Sequence, residues 1–136
     1  MVARFLLLGG LIGGTGLAAR AAPLTCPPSI AITEALSGNP PEGWQSSSDA
    51  TPRQLAGVSF FDGDPKQQRS LAPTRDTRAG KDRQATWQFG QTDEPVWLSC
   101  RYLDTGVVLA KPLAKPLHEC RVVYGAGGIV KTITCQ

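Results

Sequence analysis

Four cysteines, Cys26, Cys100, Cys120 and Cys135, constrain this 136-residue chain more than any other feature. The stretches between them are 73, 19 and 14 residues long, so there is no CxxC knuckle, and the only histidine is His118. Structural zinc sites draw on cysteine and histidine pairs at short spacing, so the expectation is two disulfides and no metal. Disulfides belong to oxidising compartments. They also answer a size problem. A domain of about 115 residues buries only about two thirds of its unfolded surface. Two staples worth ~2–4 kcal/mol each are then a large share of a net stability of ~5–15 kcal/mol.

The N-terminus agrees with that compartment. Arg4 precedes an uncharged run from Phe5 to Leu17, and Ala19-Arg20-Ala21 sets small residues where a signal peptidase reads. Residues 1–21 therefore read as a signal peptide and 22–136 as a single disulfide-containing β domain. A bilayer span needs about 20 apolar residues; this run is shorter and rich in Gly. Pro23-Leu24-Thr25 before Cys26 does not fit a lipoprotein signal. The expected location is the periplasm or the medium, with no stable membrane insertion after cleavage. Losing Arg4 and Arg20 takes the basic side chains from 14 to 12 against 11 acidic, a net charge of +1. Attraction to nucleic acid is not expected from such a chain.

Beyond residue 22 the pattern is that of strands and turns. Ile30 and Ile32 alternate behind two prolines, and Arg53 to Phe61 is a second strand, stopped at Asp62-Gly63-Asp64-Pro65. Ala85 to Gly90 alternates with Trp87 and Phe89 inward and Thr86 and Gln88 outward. In Val96 to Leu103, residues Val96, Leu98, Cys100 and Tyr102 share one face. Asp104-Thr105-Gly106 turns the chain into Val107 to Leu109, and Glu119 to Tyr124 with Ile129 to Cys135 closes as a hairpin. Lys66 to Arg83 carries one large apolar residue, Leu71, and reads as a long surface loop pinned by it. Ser37 to Pro52 is loop composition around Trp44, which reads first as a plug over the core edge and alternatively as an exposed binding residue. Seven short strands with Gly/Pro turns predict a mainly β fold, an antiparallel sheet curled into a small sandwich or barrel.

Four cysteines allow three pairings. Cys100–Cys120 with Cys26–Cys135 is the favoured set, stapling the central strand to the closing hairpin and the two ends to each other. Symmetry about Gly127-Gly128 sets Cys120 opposite Cys135, so Cys120–Cys135 with Cys26–Cys100 stays open.

An ordered set of residues carries a resemblance. Cys26-Pro27, Trp44, Leu55, Val58 to Pro65, Leu71-Ala72-Pro73, Trp87, Trp97 to Tyr102, Thr105, Leu109, Leu113, Cys120 and Cys135 resemble a family of small exported, four-cysteine, uncharacterised proteobacterial envelope proteins. The resemblance implies a Gram-negative envelope location and a mostly β fold. It transfers no catalytic or binding residue.

No catalytic set emerges from the residues. Asp62 and Asp64 are explained by the turn they flank, and a calcium loop needs more oxygen donors in sequence. His118 lies in a Pro-rich connection with no nucleophile motif beside it. Gly125 to Gly128 is a hairpin turn with no helix behind it to receive phosphate. The basic run from Arg75 to Arg83 lacks interleaved aromatics. The expectation is a protein that is no enzyme, with no cofactor. It would be a periplasmic binding or inhibitor-type protein acting on another protein, such as a cell-wall hydrolase or secreted toxin. A structural envelope factor without a dedicated ligand is the alternative, and a small hydrolase the third reading. Trp44 and Leu71 are the candidate recognition residues, in the loops 37–52, 65–83 and 111–118.

Overall fold

The computed structural model describes residues 24–136; the expected signal peptide, residues 1–21, lies outside them. Among the described residues nine strands form two antiparallel sheets. The first contains β1 (Ser29–Ile32), β2 (Thr51–Asp62), β3 (Ser70–Leu71), β6 (Val96–Tyr102) and β7 (Val108–Pro112). Its order is β1-β2-β6-β7, with β3 pairing to the end of β2. The second runs β4 (Arg75–Ala79), β5 (Asp82–Gln88), β8 (Glu119–Tyr124), β9 (Val130–Cys135). The mainly β, half-barrel architecture is the one the alternating segments predict.

The core lies between the inner faces. Val58 and Phe60 from β2 meet Val96, Leu98, Cys100 and Tyr102 from β6, all buried. Opposite them stand Ala85 and Trp87 from β5 and Cys120 and Val122 from β8. Phe60, with no exposed surface, bridges the sheets: its ring centroid lies 4.9 Å from that of Trp87 and 5.7 Å from that of Phe89. The indole Nε1–H of Trp87 donates to the Leu71 carbonyl at 2.9 Å, which satisfies a buried donor and ties β3 to β5. Leu71 is half-buried against the core and pins its segment as the composition suggests.

The segment from Lys66 to Arg83 is not a loop. It holds β3, β4 and the start of β5, and the total is nine strands rather than seven. The signal lay in the turn: Ala79 pairs with Asp82 around Gly80-Lys81, and Gly80 has φ +64°, the Gly-X form of a two-residue hairpin. Every residue of β4 is exposed, so no apolar alternation marks it. Its support comes from the ladder to β5, from the pair Arg83–Asp76 (Nε to Oδ1, 2.8 Å) and from Thr74. The Thr74 hydroxyl donates to the Thr86 carbonyl at 2.9 Å and accepts from the Gln88 N–H at 3.0 Å. Thr86 is buried, not turned to water, because residues around it, including Arg75 and Arg121, wall in its position.

The disulfides are Cys26–Cys100 and Cys120–Cys135, which corrects the favoured pairing. Cys100 and Cys120 belong to different sheets, on β6 and β8. Cys120 faces Cys135 across the β8–β9 ladder with Cα atoms 4.1 Å apart. Glu119 and Gln136 exchange both backbone hydrogen bonds, so the cysteine pair next to them is a non-hydrogen-bonded one, where side chains approach most closely. Cys26 reaches Cys100 because the chain before β1 lies along the first sheet. There the Tyr102 hydroxyl donates to the Pro27 carbonyl at 3.0 Å, and the Leu55 N–H donates to the Pro28 carbonyl at 2.9 Å.

Loop entropy then ranks the two staples. Cys26–Cys100 spans 74 residues and Cys120–Cys135 spans 15, so losing the first is expected to cost about 4 kcal/mol and losing the second about 3. Urea unfolding of the paired Cys→Ser variants measures the order. Phe60→Ala is expected to cost about 3–5 kcal/mol in the same assay, through the cavity left between the sheets.

Candidate protein-recognition surface

The outer face of the first sheet is built by the residues that alternate with the core. On β2 these are Gly57, Ser59 and Phe61; on β6 they are Arg101, Ser99 and Trp97; on β7 they are Val108, Ala110 and Pro112. They align in three rows: Phe61-Trp97-Pro112, Ser59-Ser99-Ala110 and Gly57-Arg101-Val108. Phe61 and Trp97 are half-buried, yet neither packs against the core, whose residues occupy the other face. The middle row is small, so the face is a shallow trough with aromatic groups at one end and a cation at the other. A β-bulge between Leu55 and Gly57 bends β2 there. The Arg101 guanidinium lies over Gly57, where a Cβ would come within 3.1 Å of its Nη2. Among the described residues Arg101 has no carboxylate partner.

The trough continues onto β7, the outermost strand. All five of its residues are exposed. Seven large apolar residues stand exposed among the described residues, and four of them are Leu103, Val107, Val108 and Leu109. That clustering on one edge distinguishes a patch from scattered surface apolar residues.

Trp44 is 73 % exposed, so the plug reading is overturned. Its loop folds on itself through the Trp44 N–H to Pro41 carbonyl bond, forming a depression lined by Leu36, Pro40 and Trp44. The Arg53–Glu34 ion pair, at 3.0 Å, moors the loop to β2. The 111–118 segment is held too: Leu113 is buried with its N–H on the Val96 carbonyl, and Lys115 Nζ donates to the carbonyls of Thr92 and Asp93. Between that segment and 89–96 opens a cleft of about 950 Å³ with Phe89, Val96 and Leu117 in its lining and His118 at its side.

The acidic residues weighed in the sequence act as scaffolding. Asp64 Oδ1 accepts from the Lys66 N–H at 2.8 Å, capping the turn after Gly63, whose φ of +81° requires glycine. Asp62 and Glu94 both face Arg69. No cluster of metal-ligating side chains occurs among the described residues, and no helix there is long and apolar enough to cross a membrane. Sequence reasoning placed Trp44 and Leu71 in the recognition role; the structure exposes the first and half-buries the second. It missed Phe61, Trp97, Arg101 and β7, since the alternation that identified the core face assigned the other face to solvent by default.

A family model described as Type VI secretion system Tli immunity protein matches residues 49–136, from just before β2 to the last residue. The chain is 29 % identical over 129 residues to a protein of Azospirillum brasilense described as an uncharacterized 16.3 kDa protein in the trpG 5′ region, covering 90 % of this chain and 85 % of that one. No solved structure matches.

The Arg83 guanidinium, hydrogen-bonded to Asp76, holds that carboxyl below the ordinary carboxylate range. A depressed pKa contributes stability above the unfolded value, about 3.9, and loses it as pH falls through the folded one. The protection factors of the β4 amides, that is exchange rates corrected for the intrinsic effect of pH, are therefore expected to fall on acidification through and below that value, and this fall to be absent in Asp76→Asn.

Proposed function

Because the chain belongs to the Type VI secretion system Tli immunity protein family, we propose that it protects its producer by binding a toxin protein and blocking it, with no chemistry of its own. The observation that carries this reading is the family match over residues 49–136, which takes in eight of the nine strands. Two disulfides fit an oxidising compartment, and residues 1–21 supply the export signal that such a location needs. The working form is then a single β domain from residue 22 onward, acting in the periplasm. The toxin is held by the exposed parts of a rigid frame: the Trp44 loop, the segment around Leu71 and the outer face of the first sheet. Nucleic acid has no part in this role.

A killing assay tests the proposal. A strain lacking the chain is grown beside its parent, whose type VI apparatus is active. The deletion strain is expected to be killed, to be rescued by the full chain, and to stay sensitive when residues 1–21 are removed. Survival of the deletion strain at the parent's level would overturn the immunity reading; rescue by the truncated chain would overturn the periplasmic site.

Trp44 gives a second outcome. Exposed as it is, Trp44→Ala should shift stability by no more than about 0.5 kcal/mol. As a recognition anchor it should cost the complex about 2 kcal/mol, roughly thirtyfold in Kd by titration calorimetry.

A further inference from the structure

Two of the outermost strands, β4 and β7, are built on opposite rules. β4 reads Arg75-Asp76-Thr77-Arg78-Ala79, and charge along an open edge is the usual guard against pairing with another chain. β7 begins Val108-Leu109-Ala110 and carries its only guards, Lys111 and Pro112, at its far end. Its register shows what the open side offers. The Leu113 N–H donates to the Val96 carbonyl, so alternation along the antiparallel ladder turns the backbone groups of Leu109 and Lys111 toward β6 and those of Val108 and Ala110 outward. Pro112, which has no N–H, falls in the outward set and loses no ladder bond. Two N–H groups and three carbonyls, those of Val108, Ala110 and Pro112, thus stand along this edge, unclaimed among the described residues.

The charge around this edge is positive. Lys111 lies in the strand, on the face opposite the Phe61, Trp97 and Arg101 rows, and is in no ion pair among the described residues; the one carboxylate in the β6–β7 connection is Asp104. A second copy of the chain would bring its own Leu109 and Lys111, and no carboxylate, to that side of the edge. Resting on the toxin-binding role above, we propose that β7 recruits an extended segment of the partner protein as an added strand of the first sheet. That segment is apolar on the side flanking Val108, Ala110 and Pro112 and acidic on the side flanking Leu109 and Lys111. Main-chain bonds supply the adhesion in this mode and the alternate side chains supply the selectivity.

The probes are two ten-residue peptides, one alternating Val and Glu, the other Val and Lys, each at about 1 mM, where a ligand with Kd of about 1 mM half-fills its site. With the Val/Glu peptide, amide exchange at Val108 and Ala110 is expected to slow about twofold by NMR, while Leu109 and Lys111, already bonded to β6, stay unchanged. The Val/Lys peptide should do nothing to the wild type and take over in Lys111→Glu. Ala110→Pro should abolish the protection, with Ala110→Gly and the melting curve as folding controls. Unchanged exchange at Val108 and Ala110 with the Val/Glu peptide overturns the strand site, and equal protection by both peptides overturns its charge preference. The killing assay reads separately: a chain that protects cells but leaves both amides fast refutes the strand site alone. One that gains the protection but saves no cell refutes the immunity role alone.

Discussion

The structure depends on the insertion of Phe60 between Trp87 and Phe89. Each sheet of so small a protein has one apolar face, and neither can be stable until that face is covered. Phe60 comes from the first sheet and its two partners from the strand β5 and its extension in the second, so one ring closes the sandwich. The Trp87 indole brings a polar N–H into that contact, and the Leu71 carbonyl is there to accept it. The demand for that acceptor explains why a polar stretch with a single leucine is ordered at all. β3 is fixed by the indole, and the chain that follows is then delivered to β5 as the ladder strand β4.

Around this contact the disulfides divide the work. Cys26–Cys100 holds the chain before β1 to the central strand, and Cys120–Cys135 locks the last two strands of the second sheet. Neither crosses between the sheets; the packing around Phe60 and the Trp87–Leu71 hydrogen bond join them. A frame made this way leaves its outer surfaces free of structural duty. The trough of Phe61, Trp97 and Arg101, the bare edge of β7 and the Trp44 loop are all presented by elements whose positions are settled by the core behind them. A protein that works by binding gains from this, since a rigid surface loses little freedom when it meets its partner.

The inner face of β6 was legible from the sequence because alternation over Val96, Leu98, Cys100 and Tyr102 is a local property of seven residues. So were the strand around Trp87 and the closing hairpin; the cysteine pairing was not, since the hairpin turn offered Cys120–Cys135 but the favoured set was Cys100–Cys120 with Cys26–Cys135. The candidate site was less legible. Phe61 and Trp97 alternate out of phase with the core, and only the register between β2 and β6 sets them side by side. Val107 to Leu109 has the composition of an interior strand. That it lies at an edge is a matter of sheet order.

The sequence by itself determined the class of the fold, its mainly β character and its inner β6 face, because period, turn chemistry and cysteine count are written in short stretches. Tertiary structure decided what depends on distant partners. It sorted β6 and β8 into different sheets and so chose the disulfides. It made a strand of the polar segment after Leu71 by giving it a ladder to pair with. And it left Trp44 and β7 in water, because burial is a property of neighbours, and no residue carries its neighbours in its own side chain.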